Sequence, residues 1–342
     1  MKRRKFIKKS SLGVIGVGIG LTNFASKEAK DQIIGHGDFR YKIDLNWGVL
    51  NSQHYPVRDC HEMVQDSQGR IILLTNHTDN NVIIYDKSGK LIKTWGNEFP
   101  GAHGLTISDE GGEDFLYITD TELHQVMKTT LDGQIVMKLA YPIEAEEYGN
   151  ANTYLPTETA VAANGDIYVA DGYGEQYIMQ YDSNGTLKNV FGGKGTEEFN
   201  FGNAHGICID SRKEEPTLLV TDRMVNKLKR FTLDGEYLES IHLPGAFICR
   251  PVIKNKEVYL ATIWSGDGSG GTGFVSILDK NNKLVSAPGG TNPIYEKGEL
   301  KEMRQAFQIF QHPHDVCIDE DDSLYIPQWN ASGSYPIKLV RV

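Results

Sequence analysis

From residue 50 onward, short apolar runs alternate with polar turns in one recurring order. Five segments, 60–76, 102–120, 156–171, 204–222 and 313–328, each read as an inner strand, a polar turn such as Asn164-Gly165, and a second apolar strand. A third strand follows at 82–85, 125–128, 177–181 and 227–231, and a fourth at 91–95, 135–139, 187–191 and 237–241. Their length, their β-branched and aromatic content and their Gly/Asn/Asp turns are strand and hairpin signals. A degenerate copy from 252–263 onward fills the gap before residue 313. Four strands recurring about every 40–50 residues predict a β-propeller, and the copies number six. The fold class is all-β.

The sixth blade stops at its third strand, 337–342, while 41–48 near the other end resembles 91–96. Pairing those two segments closes the ring and removes an open sheet edge. The propeller is expected over 38–342, with 296–310 as a short amphipathic helix covering one face before the last blade. The Gly-rich stretch 266–273 lacks the order of a phosphate loop and reads as a blade-5 loop.

The first residues obey a different pattern. A basic stretch containing Arg3-Arg4 precedes a Gly-diluted apolar run ending near Leu21, shorter than the ~20 apolar residues that span a bilayer. This is the layout of a twin-arginine-type export signal over 1–25, followed by a polar linker over 26–37. The expected location is therefore the periplasm or cell envelope, with no membrane contact beyond the signal. Net charge is −10, and six of the 35 Lys and Arg residues sit in that signal, so the folded part is still more acidic and nucleic acid is not an expected partner. Cys60, Cys208, Cys249 and Cys317 show no CxxC spacing and read as buried free thiols.

Aligning the inner strands puts His61, His103, His205 and His314 at one position, with Thr157 there in blade 3. Inner strands line a propeller's channel. His103, His205 and His314 belong to alternate blades, so their imidazoles converge about 120° apart, as three protein ligands of an open metal site would. Zn2+ is the natural candidate, although other metals accept imidazole. Arg223, directly after Asp222, has the forked geometry to clamp a carboxylate. Trp264 and Trp329 follow second strands at the same rim and offer stacking surfaces to a peptide or a glycan.

The segments His103-Gly104-Leu105-Thr106, Leu123-His124-Gln125-Val126, Pro156-Thr157-Glu158, Asp171-Gly172-Tyr173, Asp222-Arg223 and Pro313-His314-Asp315 resemble NHL repeats. In particular they resemble the lyase domain of peptidylglycine α-amidating enzymes. The resemblance covers roughly residues 58–342. It implies zinc on His103, His205 and His314, and a structural calcium on Asp315 and on backbone carbonyls including that of Leu105. It also implies Tyr173 as base or proton carrier, Arg223 in the active site, and cleavage of a peptidyl-α-hydroxyglycine to an amide and glyoxylate. Two positions depart from the pattern. His77 stands where the resemblance has a first-blade arginine, and His312 where it has a methionine. A histidine cannot reproduce a guanidinium fork, so an altered substrate shell is expected, with His61, His77, Glu158 and His312 as further channel or substrate candidates. A second reading stays open: a non-enzymatic propeller in which a metal only pins the channel and the rim binds peptide or glycan.

Overall fold

The computed structural model describes residues 32–342; the proposed signal, 1–25, and the first half of the linker, 26–31, lie outside the described residues. Six antiparallel sheets are arranged as blades of a propeller. Blade 1 runs from its inner strand Cys60–Gln65 through Ile71–Thr75 and Val82–Tyr85 to Leu91–Trp95. Blades 2, 3 and 4 repeat that order from Ala102–Asp109, Glu158–Val161 and Ala204–Asp210. Blade 5 begins at Ala246–Lys254, earlier than the sequence pattern suggested.

Blade 6 is built from both ends of the described chain. Cys317–Ile318, Leu324–Ile326 and Ile337–Arg341 are joined by Phe39–Asp44, with Tyr41 opposite Arg341 and Ile43 opposite Leu339. The expected closure is therefore present. Ile33–His36, inside the stretch read as linker, pairs with Phe39–Asp44 as a fifth strand.

Alternation along each strand sends side chains to both faces, and each face packs on the next blade. Six apolar clusters result, one per blade interface. Between blades 3 and 4, for example, Tyr168, Ala170 and Ile178 meet Phe201, Ile207 and Phe231. This distributes the core around the ring and leaves the axis to other residues. Three of the four free thiols are buried as expected, whereas Cys208 is only partly covered.

The stretch 296–310 is not a helix. It forms a hairpin, Tyr295–Glu296 with Glu299–Leu300, and then an extended segment. Lys297 (φ 53°) and Gly298 (φ 91°) take left-handed turn conformations that break a helix, and the backbone bonds go to neighbours instead. Met303 N–H donates to Pro244 O and Gln305 N–H to Ser265 Oγ. The apolar spacing is satisfied without a helix, since Met303 packs between blades 4 and 5 and Phe310 between blades 5 and 6.

Candidate active site

A bulge interrupts the inner-strand ladder at the same place in four blades: between Cys60 and Glu62, Ala102 and Leu105, Ala204 and Ile207, and Ile248 and Pro251. A bulge re-aims side chains out of the pleat. Here it carries His61, His103, His205 and Cys249. The repeated Thr-Asp that ends the second strands supports it. Gly104 N–H donates to Thr119 Oγ1 at 2.6 Å and Gly206 N–H to Thr221 Oγ1 at 2.8 Å. Both glycines are obligatory: a Cβ on Gly104 would lie 2.5 Å from Thr157 O, and one on Gly206 2.5 Å from Arg250 Cα. Asp222 then takes the N–H groups of Gly202 and Asn203, fixing the turn from which Arg223 projects.

His103, His205 and His314 form a nearly equilateral triangle, with ring centroids 5.0, 4.9 and 5.0 Å apart. His61 lies 4.8 Å from His103 and 4.9 Å from His314. By closest ligand atoms, the tight triples are His61–His103–His314 and His205–Cys249–His314. The centroid triangle and the atom triples thus select different sets. The protein offers four imidazoles and one thiol around a common centre, and Cys249 was not foreseen as a member.

His103 Nδ1–H donates to Thr157 O at 2.8 Å and His314 Nδ1–H to His61 O at 3.0 Å. Those bonds turn the unprotonated Nε2 of each ring away from the strand wall, as in a metal-ligating histidine whose other nitrogen is held by a carbonyl. Burial holds all four imidazoles below their ordinary pKa, His61 at about 3. Neutral rings with free lone pairs, plus a soft thiol, form a donor set that fits a zinc-type ion.

Tyr173 closes the site. Its hydroxyl lies 3.1 Å from His103 Nε2 and 3.2 Å from His205 Nε2, and Arg223 Nη2 donates to it at 3.4 Å. The Arg223 guanidinium sits over the Tyr173 and Trp264 rings, and its Nε and Nη1 are buried without a partner among the described residues. An unpaired buried donor pair beside a metal-type pocket asks for an oxyanion. The opening is a cavity of about 380 Å³, lined by His61, His103, Tyr173, Arg223, Trp264 and Trp329 among others.

Other expected residues fall elsewhere. His77 lies in an adjoining groove with Arg58 and Asn76, its Nδ1 accepting from Asp79 N–H. Arg58, half-exposed in that groove, was missed in sequence although it brings a guanidinium to the first-blade side. His312 is a strut: Nε2 accepts from Gly271 N–H at 2.8 Å, Nδ1 faces Asn330 O, and the ring rests 5.6 Å from Trp329. Glu158 lies in the layer beneath the histidines. So does Asp315, and here the calcium expectation needs correction. Arg250 Nε and Nη2 bond the two Asp315 oxygens at 3.0 and 2.7 Å, and Nη1 donates to Leu105 O at 3.1 Å. The two groups assigned to calcium are already occupied by a guanidinium, and the residues present do not fit that ion.

Peptidyl-alpha-hydroxyglycine alpha-amidating lyase 1 of Drosophila melanogaster is 36% identical over 271 residues, which is 71% of this chain and 46% of that protein. NHL repeat-containing protein 3 of Homo sapiens is 24% identical over 214 residues, 58% of each. The chain is an NHL-type, lyase-like propeller. It spans less than half the length of the fly relative. No protein-family model matches it. A solved structure described as a streptogramin B lyase superimposes with a TM-score of 0.57 at 14% identity, over 87% of this chain and 97% of that one, and supports the fold of this lyase-like propeller alone.

Proposed function

We propose that this lyase-like propeller is an exported, metal-dependent enzyme that cleaves the C–N bond of a peptidyl-α-hydroxyglycine, with a substrate shell altered on its first-blade side. The observation that carries the reading is Tyr173, whose hydroxyl reaches two neutral imidazoles and a guanidinium with two unpaired buried nitrogens. The name of the fly relative supplies the substrate class.

His103, His205 and His314 would hold zinc, with His61 and Cys249 adjacent; the bound ion supplies Lewis acidity to a substrate oxygen. Arg223, whose Nε and Nη1 lack partners among the described residues, donates to the substrate carboxylate and fixes its orientation. Tyr173 is placed to take the hydroxyl proton of the α-hydroxyglycine. As that O–H electron pair forms the aldehyde carbonyl, the C–N pair returns to nitrogen, which receives the proton relayed through the Tyr173 hydroxyl. The products are a peptide primary amide and glyoxylate, so all atoms are accounted for. Trp264 and Trp329 wall the pocket against water and leave it open to the peptide.

The direct test incubates zinc-loaded protein with a peptidyl-α-hydroxyglycine and measures glyoxylate and amide in equal amounts. No product at high enzyme concentration defeats this reading. Metal analysis with an anomalous diffraction map identifies the ion, and His205→Ala is expected to lose it while staying folded. Export through the proposed signal over 1–25 is checked by cell fractionation of wild type against Arg3→Lys/Arg4→Lys.

A further inference from the structure

Directly below the imidazoles, the next residue of each inner strand forms a second ring: Glu62, Gly104, Glu158, Gly206, Arg250 and Asp315. Arg250 is its one cation. From blade 5 it reaches across the axis, giving Nη2–H to Met63 O at 3.1 Å in blade 1 and Nη1–H to Leu105 O in blade 2. In blade 6 it grips both Asp315 oxygens. Its Nε also lies 3.5 Å from Glu62 Oε2 and 3.7 Å from Glu158 Oε2. The carboxylates are tied down in turn: Asp315 accepts Met63 N–H, Glu62 accepts Leu105 N–H, and Glu158 accepts Thr159 N–H.

We infer that Arg250 is a built-in cation that does mechanically what a bound divalent ion would do, tying the inner strands of four other blades together and making the channel independent of calcium. The ligand set is what a hard cation would receive, namely backbone carbonyls and carboxylates. A guanidinium meets that demand with directed N–H bonds and cannot dissociate. Gly206 matches this arrangement, since its missing Cβ is what lets the Arg250 backbone approach. Burial, and then repulsion from Glu158, push Glu62 well above the usual carboxylate range. His314 immediately precedes Asp315 and His61 precedes Glu62, so Arg250 is a positioning residue for the imidazole layer above.

The test uses the full chain and two arms. Wild type purified without chelator is expected to contain no stoichiometric calcium and to melt at the same temperature in EGTA and in millimolar calcium. A calcium ion per chain, or a midpoint lowered by EGTA, overturns the inference. Arg250→Ala is expected to lower the midpoint by about 10 °C, because it strands buried carboxylates. Calcium, but not magnesium, should restore part of that loss, since the vacated oxygens suit a larger and less rigid coordination sphere. This recovery is a response that a merely structural arginine would not give. A variant that melts like wild type, or one insensitive to calcium, overturns the proposal. Should the alanine variant fail to fold, Arg250→Lys replaces it: an intermediate midpoint is expected, and a lysine variant as stable as wild type refutes the role of the fork.

Discussion

The channel holds two adjacent layers built from consecutive residues of the same strands, and they solve opposite problems. The upper layer, His61, His103, His205, Cys249 and His314, is neutral and leaves lone pairs and donors unspent. The lower layer, Glu62, Glu158, Arg250 and Asp315, is charged, and Arg250 is bonded to three blades and in close ionic contact with a fourth. One residue of sequence separates a site that awaits a ligand from a clamp that needs none. Buried polar atoms without a partner occur in both layers, at His61 Nδ1 and His205 Nδ1 above and at Glu62 Oε1 and Glu158 Oε2 below; what sets the lower layer apart is a guanidinium whose three nitrogens are all bonded.

Substitutions can break this contrast, and the largest effect is expected in the upper layer. Tyr173→Phe should cut kcat/KM by about 10²–10⁴-fold with metal content and melting unchanged, because only the proton-carrying oxygen is lost. In the lower layer, Asp315→Asn should leave a buried guanidinium underpaired and cost about 3–5 kcal/mol in urea unfolding. A pH series sharpens the boundary between the layers. Burial pushes Asp171, which anchors the Tyr173 turn through Leu155 and Glu175 N–H, up to about 6 against those bonds and one from Tyr148. A carboxyl with a raised folded pKa stabilises fully below its unfolded value near 4, and that contribution is lost as pH rises through about 6. Stability should fall by about 2–3 kcal/mol across that window, and Asp171→Asn should flatten the slope. Arg223→Lys should raise KM about tenfold, since an ammonium cannot offer two parallel donors to a carboxylate. The smallest effect is expected at His312→Leu, about 1 kcal/mol of stability with little change in turnover, consistent with a strut beneath Trp329.

Much of this was legible from the chain because the signals repeat. Strand periodicity and turn residues located most blade strands, and the complementary segments 41–48 and 337–342 announced the closure seen between Phe39–Asp44 and Ile337–Arg341. The histidine register was legible for the same reason: each histidine precedes or sits in a recognisable copy of the repeat. Blade 5 hid its contribution. Its inner strand carries Phe247-Ile248-Cys249-Arg250, with no histidine in the register, so Cys249 was read only as a buried thiol and Arg250 went unread although both occupy the same bulge. The calcium expectation failed at that point, because a guanidinium arriving from a distant strand cannot be read from Asp315 and Leu105. The helix expected over 296–310 failed because apolar spacing does not reveal that Met303 and Gln305 spend their backbone donors on Pro244 and Ser265.

The closure has a consequence for biosynthesis. Tyr41 and Arg341 are 300 positions apart yet lie side by side. At about 5–20 residues per second, the early strand waits about 15–60 s on the ribosome for its partner. Throughout that interval the nascent chain carries an unpaired ribbon, exposed to chaperones and to strands of other nascent copies. The ring therefore closes only once Ile337–Arg341 has been made, and a chain stopped before that strand would be permanently short of its clasp.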